Sequence, residues 1–289
     1  MYHLFLQKIS EKSPLIHVLS NGVTRQFIAD VLLAAGARPV MAFDSSEVVE
    51  IASQADALCI NTGTPHPLII PSYKLALQEA LRRSIPVALD FPGVPASSIR
   101  RETAAGLLSI LGDRSSEAPV LIRGNASEIL CLAEGYSCGG AIDSIHTPAE
   151  ASVKARILLN AVDAVCISGS ENIVLGGSEK RENHIPGGTE LMARSSGFGC
   201  ISTALMSAFL AVSHELSLPP DASVAAVSVC RMMLDASSSI LNDSSPGPAE
   251  FKSLFIDKLY EISTKNHRTE KNKFKSPDPN QAGGRRVMQ

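Results

Sequence analysis

A chain of 289 residues with 45% hydrophobic residues can bury a sizeable core, as one large domain or two small ones. Its net charge of −3 gives no electrostatic basis for nucleic acid as the main partner, and 4% aromatics without a Trp leave no stacking platform for bases. Six scattered cysteines (Cys59, Cys131, Cys138, Cys166, Cys200, Cys230) make no C-x-x-C pair and no Cys/His set at zinc spacing, which fits a reducing compartment.

The N-terminal "MYHLFLQKISEKSP" is too short and polar for a signal peptide. Short β-branched runs then alternate with helical patterns. "PLIHVLSN" reads as a strand. "TRQFIADVLLAAGA" carries Phe27, Ile28, Val31, Leu32 and Ala35 on one helical face, with Gly36 to end it. "RPVMAF" is a strand, "SSEVVEIASQA" a capped helix, and "DALCINTGTP" a strand entering a Gly-containing loop. "YKLALQEALRRS" is helical, "IPVALDFPGVP" is a strand broken by prolines, and "PVLIRGNASEILCLAEG" is strand, turn and helix. "PAEASVKARILLNAV" is helical, and "DAVCISGS" and "ENIVLGG" are strands. Helices follow from Gly199, near Asp221–Asn242 and near Ala249–Thr264. The apolar stretch Ile201–Val212 is shorter than the roughly 18 residues of a membrane span. These features read together as a soluble cytoplasmic protein. Residues 1–264 are expected to form one domain. The last segment, 265–289, holds seven Lys/Arg against two acids and reads as a basic, solvated tail.

The alternation predicts an α/β fold, a mostly parallel sheet with helices on both faces. Ligands then bind at the carboxyl ends of the strands. The polar loop residues fall there: Ser20-Asn21, Asn61-Thr62-Gly63, Asp90, Arg123-Gly124-Asn125 and Ser168-Gly169. Neither a P-loop nor a dinucleotide-binding glycine pattern is present. What remains is "GFGC", Gly197 to Cys200, opening a small-residue helix. Unpaired amides and the helix dipole make such an end an anion hole, and glycines let the anion approach. In phosphoryl transfer it would stabilise the moving phosphate, with Gly197 and Gly199 shaping the turn and Cys200 reaching a substrate hydroxyl. Alternatively Gly197 and Gly199 only make a tight turn, and Cys200 is core.

"SSGFGCISTALMSAFLAV" resembles the T-G-x-G-C signature of hydroxyethylthiazole kinases. "PLIHVLSNGVTRQFIADVLLAAGARPVMA", "ADALCINTGT", "LIRGNASEI" and "DAVCISGS" resemble further motifs of that family in the same order. The likeness runs from about Pro14 to Val212, and more loosely to about Thr264. It implies a ribokinase-like fold, a homotrimer with active sites between subunits, and a reaction. That reaction is ATP- and Mg²⁺-dependent phosphorylation of 4-methyl-5-(2-hydroxyethyl)thiazole, a thiamine salvage step. By position, the resemblance puts Met41, Asn21, Val23 and Gly197 at the thiazole, Met41 across the interface. Arg123, Asn125 and Ser168 fall to ATP, and Asp90 and Glu128 to Mg²⁺ and its waters. Cys200 stands where the wider superfamily has an aspartate base. Glu128 also fits a helix cap with Asn125. The departures are Pro95 for a loop glycine, Ser170 for an acid, and a bulky Phe198. They keep two alternatives open. One is another small-alcohol kinase of this fold, of the hydroxymethylpyrimidine or pyridoxal type. The other is a thiazole- or nucleotide-binding protein with little turnover.

Overall fold

The computed structural model describes residues 1–135, 146–177, 181–216 and 221–273, with side chains to Thr264. Eight strands form one sheet: β1 (Leu15–Leu19), β2 (Arg38–Val40), β3 (Ala57–Asn61), β4 (Val87–Asp90), β5 (Val120–Asn125), β6 (Ala164–Ser168), β7 (Glu171–Gly176) and β8 (Arg181–Pro186). Their spatial order is β2-β1-β3-β4-β5-β6-β7-β8. The first six are parallel, and β7 and β8 add an antiparallel margin.

Both faces are covered. The helices α1 (Tyr2–Lys12), α2 (Arg25–Ala35), α9 (Phe198–Val212), α10 (Ala222–Asp243) and α11 (Pro248–Lys273) bury their apolar sides in one core. The helices α3 (Val48–Gln54), α4 (Ile70–Arg82), α5 (Ser98–Gly112), α6 (Ala126–Ala133) and α7 (Pro148–Ala155) pack in the other. A short α8 (Glu190–Ala193) precedes α9. Strand side chains alternate between the two cores, because successive Cβ atoms point to opposite faces. Cys59, Ala88, Leu121 and Ala164 enter the α9 core. Leu58, Val87, Val120 and Val165 enter the other.

This alternation sets up the site. Two residues beyond Cys59, Ala88, Leu121 and Ala164 come Asn61, Asp90, Arg123 and Cys166. Adjacent strands pair Asn61 with Asp90, Asp90 with Arg123, and Arg123 with Cys166. Four side chains from four strands therefore stand in one row on the α9 face, near the carboxyl ends. The chain leaves β1 for β2 on one side and returns to β3 on the other, so the sheet's switch point lies between β1 and β3. Ligand crevices open at such points.

Several expectations need correction. The N-terminal segment forms α1, whose Phe5, Leu6 and Ile9 are buried. The strand β8 has a polar sequence, RENHIP, with Ile185 its one buried side chain, and periodicity does not find it. The α7 helix stops at Ala155 and passes into a 3-10 turn, Arg156–Asn160. The helix expected to end near Thr264 continues to Lys273; residues 274–289 of the expected tail lie outside the described residues. Cys131 is disulfide-bonded, unlike the free Cys59, Cys166, Cys200 and Cys230; spacing alone does not report pairing. Finally, Phe198–Leu216 and Ala222–Asp243 are long and apolar enough to cross a membrane by length and composition. Both segments pack in the α9 core, and burial there explains their hydrophobicity.

Candidate active site

A cavity of about 660 Å³ opens over the carboxyl ends of β5 and β6. Arg123, Asn125, Ser168, Gly199 and Ser202 are among its lining residues. The structure thus brings together all three residues expected at ATP and one glycine of the anion hole. Asn21, Val23, Met41, Gly197 and Cys200 do not line this cavity. Gly197 and Cys200 lie against the loop after β1, at Thr24 and Asn21, and the expected metal residues Asp90 and Glu128 do not line the cavity either.

The start of α9 is a turn built for close approach. Gly197 has φ +104°, in the left-handed region that favours glycine, and no side chain caps the helix. A Cβ there would also sit 3.0 Å from the Phe27 ring and 3.1 Å from Thr24 Cγ2. Gly199 serves a different end. A Cβ on it would lie 2.5 Å from Nη1 of Arg123, so the glycine lets a guanidinium lie against the first helical turn. Phe198 turns away from the turn. Its ring packs at 5.2–5.4 Å from those of Phe27, Phe251 and Phe255, so its bulk fills the core.

A buried polar chain runs beneath this turn. Asn21 Nδ2 donates to Asn61 Oδ1 at 2.9 Å, and Asn61 Nδ2 donates to Asp90 Oδ2 at 2.8 Å. Thr203, one turn after Gly199, donates to the same Asp90 oxygen at 3.2 Å. The other oxygen, Oδ1, is buried without a hydrogen-bond partner, and the nearest cation is Arg123 Nη1 at 4.0 Å. Burial raises Asp90 to about 7; the Arg123 charge opposes this, and the Glu128 charge adds to it. Arg123 in turn donates to Ser168 Oγ at 2.6 Å, and Ser168 donates to Gly124 O at 3.3 Å. Burial works against the Arg123 charge, but Asp90 and Glu128 outweigh it and raise its pKa. The guanidinium is held, desolvated and permanently charged, facing a cavity.

Asn21 organises the loop after β1. Its Oδ1 accepts from the amides of Val23 and Thr24, at 3.0 and 3.1 Å. Its Nδ2 also reaches Cys200 Sγ at 3.5 Å. Burial, then the Asp90 charge, raises the Cys200 pKa, so this residue stays a neutral thiol at neutral pH. A neutral thiol can orient an alcohol but accepts its proton poorly. Val23 is 70% exposed, and Met41, just past the edge strand β2, is partly buried against the core.

Glu128 is committed to the backbone. Asn125 and Glu128 form a reciprocal capping box on α6. Its Oε2 accepts from Asn125 N at 2.7 Å, and its Oε1 accepts from Gly93 N at 2.8 Å. It therefore ties the loop after β4 to the end of β5. Each oxygen keeps a second lone pair, which suits a metal-bound water better than a direct metal bond. Among the described residues no group of three His, Cys, Asp or Glu could hold an ion by itself. The unpartnered Asp90 Oδ1 is the one carboxylate oxygen here suited to a cation.

The arrangement is an anion-seeking helix start and a fixed guanidinium at one cavity, with a cation-seeking carboxylate buried behind the guanidinium. Comparison with known proteins agrees with it. The family model described as "Hydroxyethylthiazole kinase family" matches residues 6–265. The chain belongs to the hydroxyethylthiazole kinase family. A family member, the hydroxyethylthiazole kinase of Brachyspira hyodysenteriae, is 35% identical over 260 residues, covering 89% of this chain and 92% of its own. That of Oleidesulfovibrio alaskensis is 36% identical over 256 residues, covering 88% and 91%. The solved structure of the hydroxyethylthiazole kinase protein from Pyrococcus horikoshii superposes with a TM-score of 0.74 at 28% identity, covering 93% of this chain and 96% of that one. The mostly parallel sheet with helices on both faces is the ribokinase-like fold of such kinases.

Asn61 and Thr203 join the site without a role expected from the sequence, where Asn61 is one of the strand-end polar residues. The signal for Asn61 was its place two residues after Cys59, where the inward alternation reaches the strand end. Thr203 lies four residues after Gly199, on the helical face that the anion hole shares. For this family member, Glu128→Ala is expected to lower stability by about 2–3 kcal/mol. It removes the capping box and strands the Gly93 and Asn125 amides. Urea denaturation measures the loss; a midpoint unchanged from wild type would show that Glu128 is not the tie between these loops.

Proposed function

We propose that this chain phosphorylates the hydroxyl of 4-methyl-5-(2-hydroxyethyl)thiazole with ATP and Mg²⁺, a step in thiamine salvage. The observation that carries the reading is Arg123, half-buried and pinned by Ser168 across a glycine-opened helix start, facing a nucleotide-sized cavity. ATP enters this cavity. Arg123 and the free amides of α9 meet its phosphates, with Ser168 and Asn125 at the rim. Gly197 leaves those amides open to the transferring group, and Gly199 makes room for Arg123 beside them. Asn21 and Cys200 orient the thiazole alcohol for in-line attack, and Asp90 lies behind them through Asn61. Positioning and electrostatic stabilisation supply most of the rate in this chemistry.

Asp90 Oδ1, and Glu128 through water, would hold Mg²⁺. When bound, the ion neutralises phosphate charge and fixes phosphate geometry. The unpartnered Asp90 oxygen supports this role. Asp90 also serves the site from the protein side, since its Oδ2 holds Asn61 and Thr203 and so fixes Asn21.

The thiazole ring needs an apolar wall that one subunit leaves open. Met41 lies just past the edge strand β2, and Val23 and Leu68, in the loops after β1 and β3, are 70% and 78% exposed. A homotrimer in which a neighbour's Met41 closes each pocket accounts for these residues. The three departures noted above do not remove any element of this site. Phe198 is turned into the core, Pro95 is buried in a 3-10 turn, and Ser170 lies in the turn between β6 and β7.

The test is a coupled ADP-release assay with hydroxyethylthiazole, hydroxymethylpyrimidine and pyridoxal, each with and without Mg²⁺. Release with the thiazole alone, and only with Mg²⁺, is the expected result. Preference for either other alcohol would reassign the substrate. Calorimetric binding of thiazole without ADP release would reduce the protein to a binder.

A further inference from the structure

The polar row across the sheet ends in a residue that the proposed chemistry does not use. Cys166 stands next to Arg123 in register, and its Sγ lies 3.7 Å from Sγ of Cys230 on α10. Both are free thiols, 1% and 6% exposed, and both line the cavity that holds Arg123 and Ser168. We propose that Cys166 and Cys230 are an oxidisable dithiol, closed to a disulfide by hydrogen peroxide entering the nucleotide cavity.

The geometry favours this pair over the other free cysteines. Bonded sulfurs sit about 2.05 Å apart, so two sulfurs already in van der Waals contact need only side-chain rotation and a small approach of α10 to β6. Cys59 is fully buried and does not line the cavity. Cys200 has Asn21 rather than a second thiol beside it. The Cys230 hydrogen bond lowers the Cys166 pKa; burial opposes it, and the nearby Arg123 charge adds to it. That makes Cys166 the nucleophile and Cys230 the resolving thiol.

The chemistry balances in two steps. The Cys166 thiolate attacks one peroxide oxygen, the O–O bond breaks, and hydroxide leaves as water after taking a proton. This gives a sulfenic acid at Cys166. Cys230 sulfur then attacks the Cys166 sulfur, the S–O bond breaks, and a second water leaves with the Cys230 proton. Two thiols and one peroxide give one disulfide and two waters, with two electrons passing from sulfur to oxygen. Cys166 lies two residues before Ser168 on β6, so drawing it toward α10 shifts the hydroxyl that pins Arg123. Nucleotide binding should weaken. That effect on turnover rests on the kinase reading, whereas the cross-link does not.

The experiment uses the full chain. Protein treated with hydrogen peroxide is alkylated, digested without reduction and mapped by mass spectrometry, and its kinetics are measured alongside. The expected result is a peptide pair joining Cys166 to Cys230, with KM for ATP raised about tenfold. Dithiothreitol should reverse both, which methionine oxidation would resist, and bound ATP should slow the cross-link. Cys230→Ser, or Cys230→Ala should the serine variant misfold, should show neither the cross-link nor the reversible change in KM. Cys166 and Cys230 both recovered alkylated after oxidation would overturn the proposal, as would Cys166 recovered only as sulfinic or sulfonic acid. A cross-link in a protein that transfers no phosphate before treatment would sink the kinase reading and leave the dithiol standing.

Discussion

Arg123→Ala should raise KM for ATP by roughly 100-fold or more while moving KM for the thiazole by no more than about threefold. The guanidinium touches Ser168, the first turn of α9 and, at 4.0 Å, Asp90. It touches none of the residues assigned to the thiazole. Removing it takes the one nearby positive charge from Asp90, leaving burial and the Glu128 charge to push that carboxyl further up. The variant should therefore lose phosphate affinity and also work best at a higher pH. Arg123→Lys should recover only part of the affinity, because an ammonium keeps the charge but not the fork that reaches Ser168 and phosphate together. Steady-state kinetics in both substrates decide the matter. Equal weakening of ATP and thiazole would remove Arg123 from the phosphate site.

Asp90→Asn should separate function from stability. The carboxyl is fully buried and raised from 3.8 to about 7 by that burial, with Arg123 opposing and Glu128 assisting. An acid whose folded pKa exceeds its unfolded value binds its proton more tightly in the fold. Its contribution to stability therefore falls as pH rises from about 4 to about 7, and stays low above that. At pH 8 the neutral isostere relieves a buried charge and should stabilise by roughly 1–3 kcal/mol. In a protein of this size each kcal/mol raises Tm by about 2–4 °C. Yet kcat/KM should drop by about 10³ if, as proposed, this carboxylate faces Mg²⁺. In the wild type, kcat/KM should decline below about pH 7 as Asp90 takes up its proton. A variant that loses both Tm and activity at pH 8 would make Asp90 a structural acceptor for Asn61 and Thr203.

These two residues also show how much of the site was legible. Arg123 and Asp90 were readable as strand-end polar residues, and the ordered motifs of the family gave each a role. Their meeting was not readable. The strands are apolar on both faces, as those of a buried parallel sheet must be, so no alternation in the sequence says which face a given residue takes. Only the register between β4 and β5 puts Asp90 beside Arg123. Gly199 was read as room for an anion, whereas the structure shows that it makes room for Arg123, a residue 76 positions earlier in the chain. Glu128 was legible as a helix cap, and its two amide partners show that role; its proposed place at Mg²⁺ rests on the family resemblance. The α1 helix has a signal in the sequence too, since Phe5, Leu6 and Ile9 mark its buried face.

By itself the sequence determined the layered α/β architecture, the glycine-opened helix start and the set of strand-end polar residues. Those depend on local periodicity and on conformations that only certain residues adopt. Tertiary structure decided the rest: the antiparallel margin, the row from Asn61 to Cys166, the orphaned oxygen of Asp90 and the facing thiols. Each of these is a contact between segments distant in the chain. Strand register and helix packing fix such contacts, and neither is written in any one stretch of residues.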